Sequence, residues 1–277
     1  MELKNCIFTH SGCYLWGVKM TNSKPLGIVV HSTGANNKNL KRYVQPIKGD
    51  TNYNEVINDI GKNAYNNHWN KESKKACVHA FIGVNKANEV ETYQVLPWDN
   101  CCWGIGKGKK GSYNYNPTAC IQFEICEDNL KDEAYFNEAM KEAQELCAFL
   151  CKEFNLTESD VRSHAEAYKE GYGTNHADCD HWLKKFDKDM KWFRGEVKSI
   201  LDGKNKNDEP FKPYKVKVNT TALNIRKEPS SNSKKTGCIK DKGVYTIVDE
   251  AFGEGANLWG KLKSGAGWIS IDYCKKL

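Results

Sequence analysis

The sequence predicts an α/β domain followed, across a short linker, by a small all-β barrel. Three observations carry this reading. Short β-branched apolar runs and one long amphipathic helix share the first part of the chain. A charged stretch with two prolines, residues 203–213, then interrupts the pattern. Beyond it only short strand-like runs recur, separated by turn residues.

The length of 277 residues fits one medium domain plus a module. Hydrophobic residues are 39% and charged residues 27%, enough to build a sizeable core. No apolar run reaches the length of a membrane span, which argues against membrane insertion. Residues 1–16 hold one lysine and neither a long apolar core nor a small-residue cleavage site, so no secretory signal is expected. The net charge of +6 and pI near 8.6 point to anionic surroundings: nucleic acid, anionic lipid or an acidic wall polymer. The twelve cysteines include no CxxC pair and sit mostly beside apolar residues. They read as reduced, small buried hydrophobes, Cys13 and Cys77 among them.

Residues 26–34 form a β-branched run closed by small polar residues, a buried strand with His31 at its carboxyl end. In an α/β sheet that end is where ligands collect. Residues 36–70 are polar, with weak helical patterning around Val56, Ile57 and Ile60. Residues 76–84 and 90–96 read as a hairpin about Asn85-Lys86. The segment after Pro97 is aromatic and glycine-rich. Gly104, Gly106 and Gly108 lack the strand-to-helix setting of a phosphate loop, so a substrate-lining loop is expected instead. Residues 119–126 form a strand with Glu124 inside an apolar run. Aimed into a cleft, that carboxyl is desolvated and suited to general acid–base work. Over 132–154, Phe136, Ala139, Met140, Ala143, Leu146, Cys147, Leu150 and Cys151 recur at helical spacing. A last helix is expected over 182–201. The barrel strands are expected at 214–218, 223–226, 243–250, 258–262 and 267–270.

Residues 162–182 hold three of the seven histidines, with Asp178, Cys179 and Asp180. Glycine and small polar residues link His164 to the second cluster, so the bridge reads as a loop. Such a loop can fold back and offer two ligands to one metal ion. A catalytic zinc takes three ligands from the protein, so the third must come from elsewhere. His31, Glu124, His164 and the cluster from His176 to Asp178 together meet the expectations of an active site. His79 reads as support for a neighbour, His10 and His68 as surface residues, and His181 as structural.

The order Val29-Val30-His31-Ser32-Thr33, Val78-His79-Ala80-Phe81, Leu96-Pro97-Trp98, Phe123-Glu124-Ile125, Ser163-His164-Ala165-Glu166 and His176-Ala177-Asp178 resembles the zinc amidases related to peptidoglycan recognition proteins. That family includes many phage endolysins and autolysins that are N-acetylmuramoyl-L-alanine amidases. The resemblance covers residues 24–195 and implies a central mixed sheet flanked by helices, with Zn2+ in a groove along one face. It assigns His31 and His164 as the histidine ligands. The third is Asp178 or its neighbour Cys179, because the proline that usually follows the ligand is absent. Asp178 is favoured since His176 stands two residues before it, as a helper residue often does in the family. Glu124 matches the catalytic glutamate; some relatives carry a tyrosine where Val78 stands here. His176 is then the group that stabilises a developing oxyanion.

Residues 222–231, Gly243, Tyr245, Trp259-Gly260-Lys261-Leu262 and Gly267-Trp268-Ile269 resemble bacterial SH3-like (SH3b) wall-binding domains. Leu223, Ile225, Val244, Ile247, Val248, Leu262 and Ile269 are the expected core of that barrel. Tyr214, Trp259, Trp268 and Tyr273 divide between core and ligand groove. The two resemblances imply a catalytic domain over 1–202, a linker over 203–213 and a wall-binding domain over 214–277. The partner is then bacterial peptidoglycan rather than nucleic acid, and the protein a monomer. The resemblance and the expected lack of a signal together imply a phage or prophage endolysin or autolysin that is made in the cytoplasm, escapes through a holin and lyses the cell. A non-catalytic recognition module, or a hydrolase of another wall peptide bond, is the alternative.

Overall fold

The computed structural model describes residues 1–203 and 211–277; of the expected linker, residues 204–210 lie outside the described residues. The chain divides into two compact units, Met1–Lys204 and Asn205–Leu277. No helix among the described residues is long and apolar enough to cross a membrane.

In the first unit the elements run β1 (Leu3–Asn5), α1 (Gly12–Trp16), β2 (Ile28–Ser32), α2 (Tyr53–Ile60), β3 (Ala80–Val84), β4 (Val90–Gln94), β5 (Ile121–Ile125), α3 (Glu133–Phe154), β6 (Val161–Ser163), α4 (His164–Glu170), α5 (Asp180–Lys185) and α6 (Met190–Leu201). Six strands form one sheet in the order β1-β4-β3-β5-β2-β6. Only the β3–β4 hairpin is antiparallel, so the sheet is mixed, as expected. Period-2 alternation decides which side chains go to which face. Ile28 and Val30 of β2, and Ile121, Phe123 and Ile125 of β5, enter the main core with the apolar stripe of α3. Val29, His31, Gln122 and Glu124 therefore share the opposite face.

Helix α3 follows the predicted limits because its ends are marked locally. The Asp132 side chain accepts from Tyr135 N–H, and Asn155 closes the helix at φ 55°. Two expectations fail. The bridge after His164 is not a loop at its start but helix α4. Ser163 caps it and Glu166 returns to the Ser163 N–H, a reciprocal capping box that Arg194 grips with bonds of 2.7 and 3.0 Å. The single helix expected over 182–201 is two helices, because Asp189 caps a fresh start at Met190 by accepting from Trp192 N–H.

Cysteine chemistry also departs from expectation. Cys13 and Cys77 are joined in a disulfide across 64 positions, whereas the described remainder are free and mostly buried. The cross-link fastens α1 to the segment entering β3. Cys77→Ser is expected to lower stability by about 2–4 kcal/mol, since a long loop regains its freedom in the unfolded chain. Urea unfolding of the oxidised wild type and the variant measures it. Equal midpoints would show that the cross-link adds nothing.

The second unit holds seven strands: β7 (Tyr214–Val218), β8 (Leu223–Arg226), β9 (Lys235–Ile239), β10 (Val244–Gly253), β11 (Ala256–Leu262), β12 (Trp268–Ser270) and β13 (Cys274–Lys276). They pair antiparallel in the order β13-β7-β10-β11-β12-β8-β9. Among the described residues no pairing joins β13 to β9, so this is an open all-β sheet where a barrel was expected. Strands β9 and β13 escaped the sequence reading; β9 (Lys-Thr-Gly-Cys-Ile) and the three-residue β13 (Cys-Lys-Lys) both lack an alternating apolar face. Val216, Val218, Leu223, Ile225, Ile239, Ile247, Leu262 and Ile269 form its core. Val244, expected there, is exposed, and Val248 is half-buried. Trp259 is buried and Tyr273 exposed, whereas Tyr214 and Trp268 are half-buried.

Candidate metal centre and groove

Three parallel strands, β5, β2 and β6, bring their carboxyl ends side by side. His31 pairs in register with Glu124, and Val30 with Ser163, the residue before His164. The segment leading into α5 supplies Asp178. His31 Nδ1 lies 3.1 Å from His164 Nδ1 and 3.1 Å from Asp178 Oδ2, and His164 Nδ1 lies 3.3 Å from the same oxygen. Zinc bonds of about 2.0–2.2 Å at tetrahedral angles place ligand atoms roughly 3.3 Å apart. The triangle thus has the dimensions of one face of such a site, and the three residues form a group able to hold a metal ion. Cys179 does not join them. Its thiol is fully buried in the main core, and burial pushes its pKa well up.

The surroundings fix the tautomer that the site needs. Asn114 is oriented by two backbone groups: Ile105 N–H donates to its Oδ1 at 3.1 Å, and its Nδ2 donates to Ile105 C=O. Gln122 Nε2 then donates to Asn114 Oδ1 and to Tyr113 C=O, which leaves Gln122 Oε1 as acceptor for His31 Nε2–H at 3.0 Å. With its proton on Nε2, His31 turns the Nδ1 lone pair to the centre. Thr174 Oγ1 stands 3.4 Å from His164 Nε2 in the same relation. A Cβ at Gly104 would lie 2.5 Å from Gln122 Oε1, which is why the loop needs glycine where it closes over this network.

Charge is distributed accordingly. Burial disfavours the His31 cation, yet the Asp178 hydrogen bond and the Glu124 charge outweigh it and hold the imidazole above its ordinary value. Burial of His164 outweighs its bond to Asp178 and lowers it. Asp178 is desolvated too, but hydrogen bonds and charge from both histidines keep its carboxyl well below the usual range. Glu124 lies 8% exposed, and its Oε2 has no hydrogen-bond partner. Desolvation, reinforced by the Asp178 and Glu127 charges, pushes it up to about 8.

These groups line an open groove of about 770 Å³ with Trp103, Gly104, Ile105 and Gly106, so the glycine-rich loop does line it. His176 stands at its mouth, 62% exposed, with its ring stacked on that of His164 at 4.7 Å. His181, expected to be structural only, also faces the groove. Its Nε2 lies 3.0 Å from Glu127 Oε1 and its Nδ1 3.2 Å from Ala177 C=O, and the Glu127 hydrogen bond raises its pKa. His79 supports a neighbour, as expected: Gln122 N–H donates to its Nδ1, its Nε2–H donates to Asn100 C=O, and burial lowers it to about 4. Gln122 and Glu127 were missed by the sequence reading. The signal for Gln122 was present, since it alternates with Glu124 on one strand face.

The chain is similar to several solved structures. They include the Staphylococcus aureus hydrolase AmiA in complex with its ligand, at 21% identity over 74% of this chain and 87% of that one, TM-score 0.46. A mutant endolysin from Bacillus subtilis matches at 21% identity over 71% of this chain and 99% of that one, TM-score 0.44. The catalytic domain of XlyA matches at 20% identity over 71% and 99%, TM-score 0.45. No curated protein sequence matches. The family described as N-acetylmuramoyl-L-alanine amidase matches residues 21–181, a stretch that holds His31, Glu124, His164, His176 and Asp178 and spans more than half of the chain. On that match, the chain belongs to the N-acetylmuramoyl-L-alanine amidase family.

Proposed function

We propose that the first unit is a zinc-dependent hydrolase that cuts the amide between N-acetylmuramate and the L-alanine of the stem peptide, and that its action lyses bacterial cells. The observation that carries this reading is a buried carboxyl without a partner, Glu124, in the groove that the His31, His164 and Asp178 triangle opens into. These three residues would hold the ion. Zinc, when bound, supplies Lewis acidity: it polarises the scissile carbonyl and acidifies water. Glu124 takes the proton of the attacking water and passes it to the leaving amine. His176, exposed at the groove mouth and stacked on His164, donates a hydrogen bond to the oxyanion that develops. Gln122 holds His31 in the tautomer that binds.

The second unit, on this proposal, is an SH3b wall-binding module, supported by its strand set and its sequence motif. With Trp259 buried, the aromatic residues left for a ligand are Tyr214, Trp268 and Tyr273. The molecule works as a monomer on peptidoglycan. End-group analysis of digested, purified wall tests the reaction. New L-alanine amino termini are expected, lost with a chelator and restored by zinc. New termini on another residue would move the cut elsewhere in the wall. Binding without any new termini would leave only recognition.

A further inference from the structure

Helix α1 has five residues, too few to persist alone, yet it is held from three sides. Ser11 caps it, accepting from Tyr14 N–H, Gly17 ends it at φ 65°, and the Cys13–Cys77 disulfide pins its base. It buries only Gly12 and Cys13, and it exposes Tyr14, Leu15 and Trp16. A rigid mount that presents apolar side chains to solvent calls for an occupant. Trp16 packs on Trp103, ring centres 5.7 Å apart, and meets Tyr115 edge-on at 5.9 Å. Trp103 rests on Gly12, where a Cβ would lie 2.7 Å from its ring. Tyr115 is tied to the same stretch, because the Asn116 amide bonds Thr21 N–H and Lys19 C=O at 2.8 and 2.9 Å. Trp103 and Tyr115 both line the groove that holds the metal triangle, and Trp16 contacts both of them from outside that lining.

We propose that Trp16, Trp103 and Tyr115 form a saccharide subsite that takes a sugar ring of the glycan strand beside the muramoyl residue being released. This rests on the amidase reading above. The platform carries no charge and offers stiff aromatic faces, which stack on the C–H face of a pyranose and leave its hydroxyls in water. Lys75, the lysine that lines the groove, suits the carboxylates of the stem peptide instead. Trp16 precedes the stretch matched by the family, whereas Trp103 and Tyr115 lie within it.

The test is calorimetric titration of the full-length, zinc-loaded protein with glycan strands stripped of their peptides and, separately, with free stem peptide. Trp16→Ala and Tyr115→Ala are each expected to weaken glycan binding roughly tenfold, the scale of one lost stacking contact. Stem-peptide affinity and zinc content stay within twofold, and Trp16→Tyr retains most of the glycan affinity. Unchanged glycan affinity in both alanine variants overturns the subsite, as does a wild type that binds no stripped glycan. A selective loss of peptide affinity overturns it in favour of a peptide subsite. Because binding is read without turnover, a wild type that fails to cut the muramoyl–alanine amide refutes the amidase reading separately.

Discussion

Asp178→Ala is expected to abolish zinc binding and wall hydrolysis together. One oxygen of this carboxylate lies within 3.3 Å of both histidine Nδ1 atoms, so it closes the triangle and supplies its only negative charge. Without it, two imidazole nitrogens face each other 3.1 Å apart with no anion to offset a divalent cation. Loss of an outer partner of a metal ligand typically costs about 10–100-fold in affinity, and loss of a ligand costs more. Zinc content after dialysis should fall from one equivalent to near none, and turnover by at least about 1000-fold. Cys179→Ala is the control. Its thiol is enclosed with Trp182 and Cys147 in the core, so the variant loses packing but keeps zinc. Zinc lost from Cys179→Ala and kept by Asp178→Ala would reverse the ligand assignment.

The parts legible in sequence were those whose signal is local. The stripe of α3 and its Asp132 cap, the β3–β4 hairpin and the strand ends that carry His31 and Glu124 each follow from periodicity and boundary residues within a few positions. Ser163 and Glu166 were also a local signal, a capping box that outweighs the glycines further along, and it should have made His164 the first residue of a helix. Other features were hidden because their partners are remote. Cys13 meets Cys77 across 64 positions, with β2 and α2 lying between them in the chain. His181 looks structural beside Trp182 until Glu127, brought over from the end of β5, stands 3.0 Å from its ring. The open sheet of the second unit shows the same limit, since strand runs give pairing partners but not closure.

Glu124→Gln separates metal binding from proton transfer. The amide keeps the size of the side chain and touches none of the three ligand atoms, so full zinc content is expected. A group that must take a proton from water and deliver it to an amine cannot be replaced by an amide, and kcat should fall by about 100- to 10,000-fold. The same variant carries a stability signature in the metal-free protein. The unfolded chain has released the Glu124 proton above its ordinary pKa of 4.5, whereas the folded chain keeps it until about 8. Between these values, raising the pH favours unfolding, because the unfolded state binds fewer protons. Wild type should therefore lose stability relative to Glu124→Gln as pH rises from 4.5 to 8, by a few kcal/mol in all, and the difference should level off above 8. Urea unfolding of the two chelated proteins at closely spaced pH values reads this directly. Parallel stability curves would mean that Glu124 ionises freely in the folded protein, which would remove the reason for its unusual basicity in the groove.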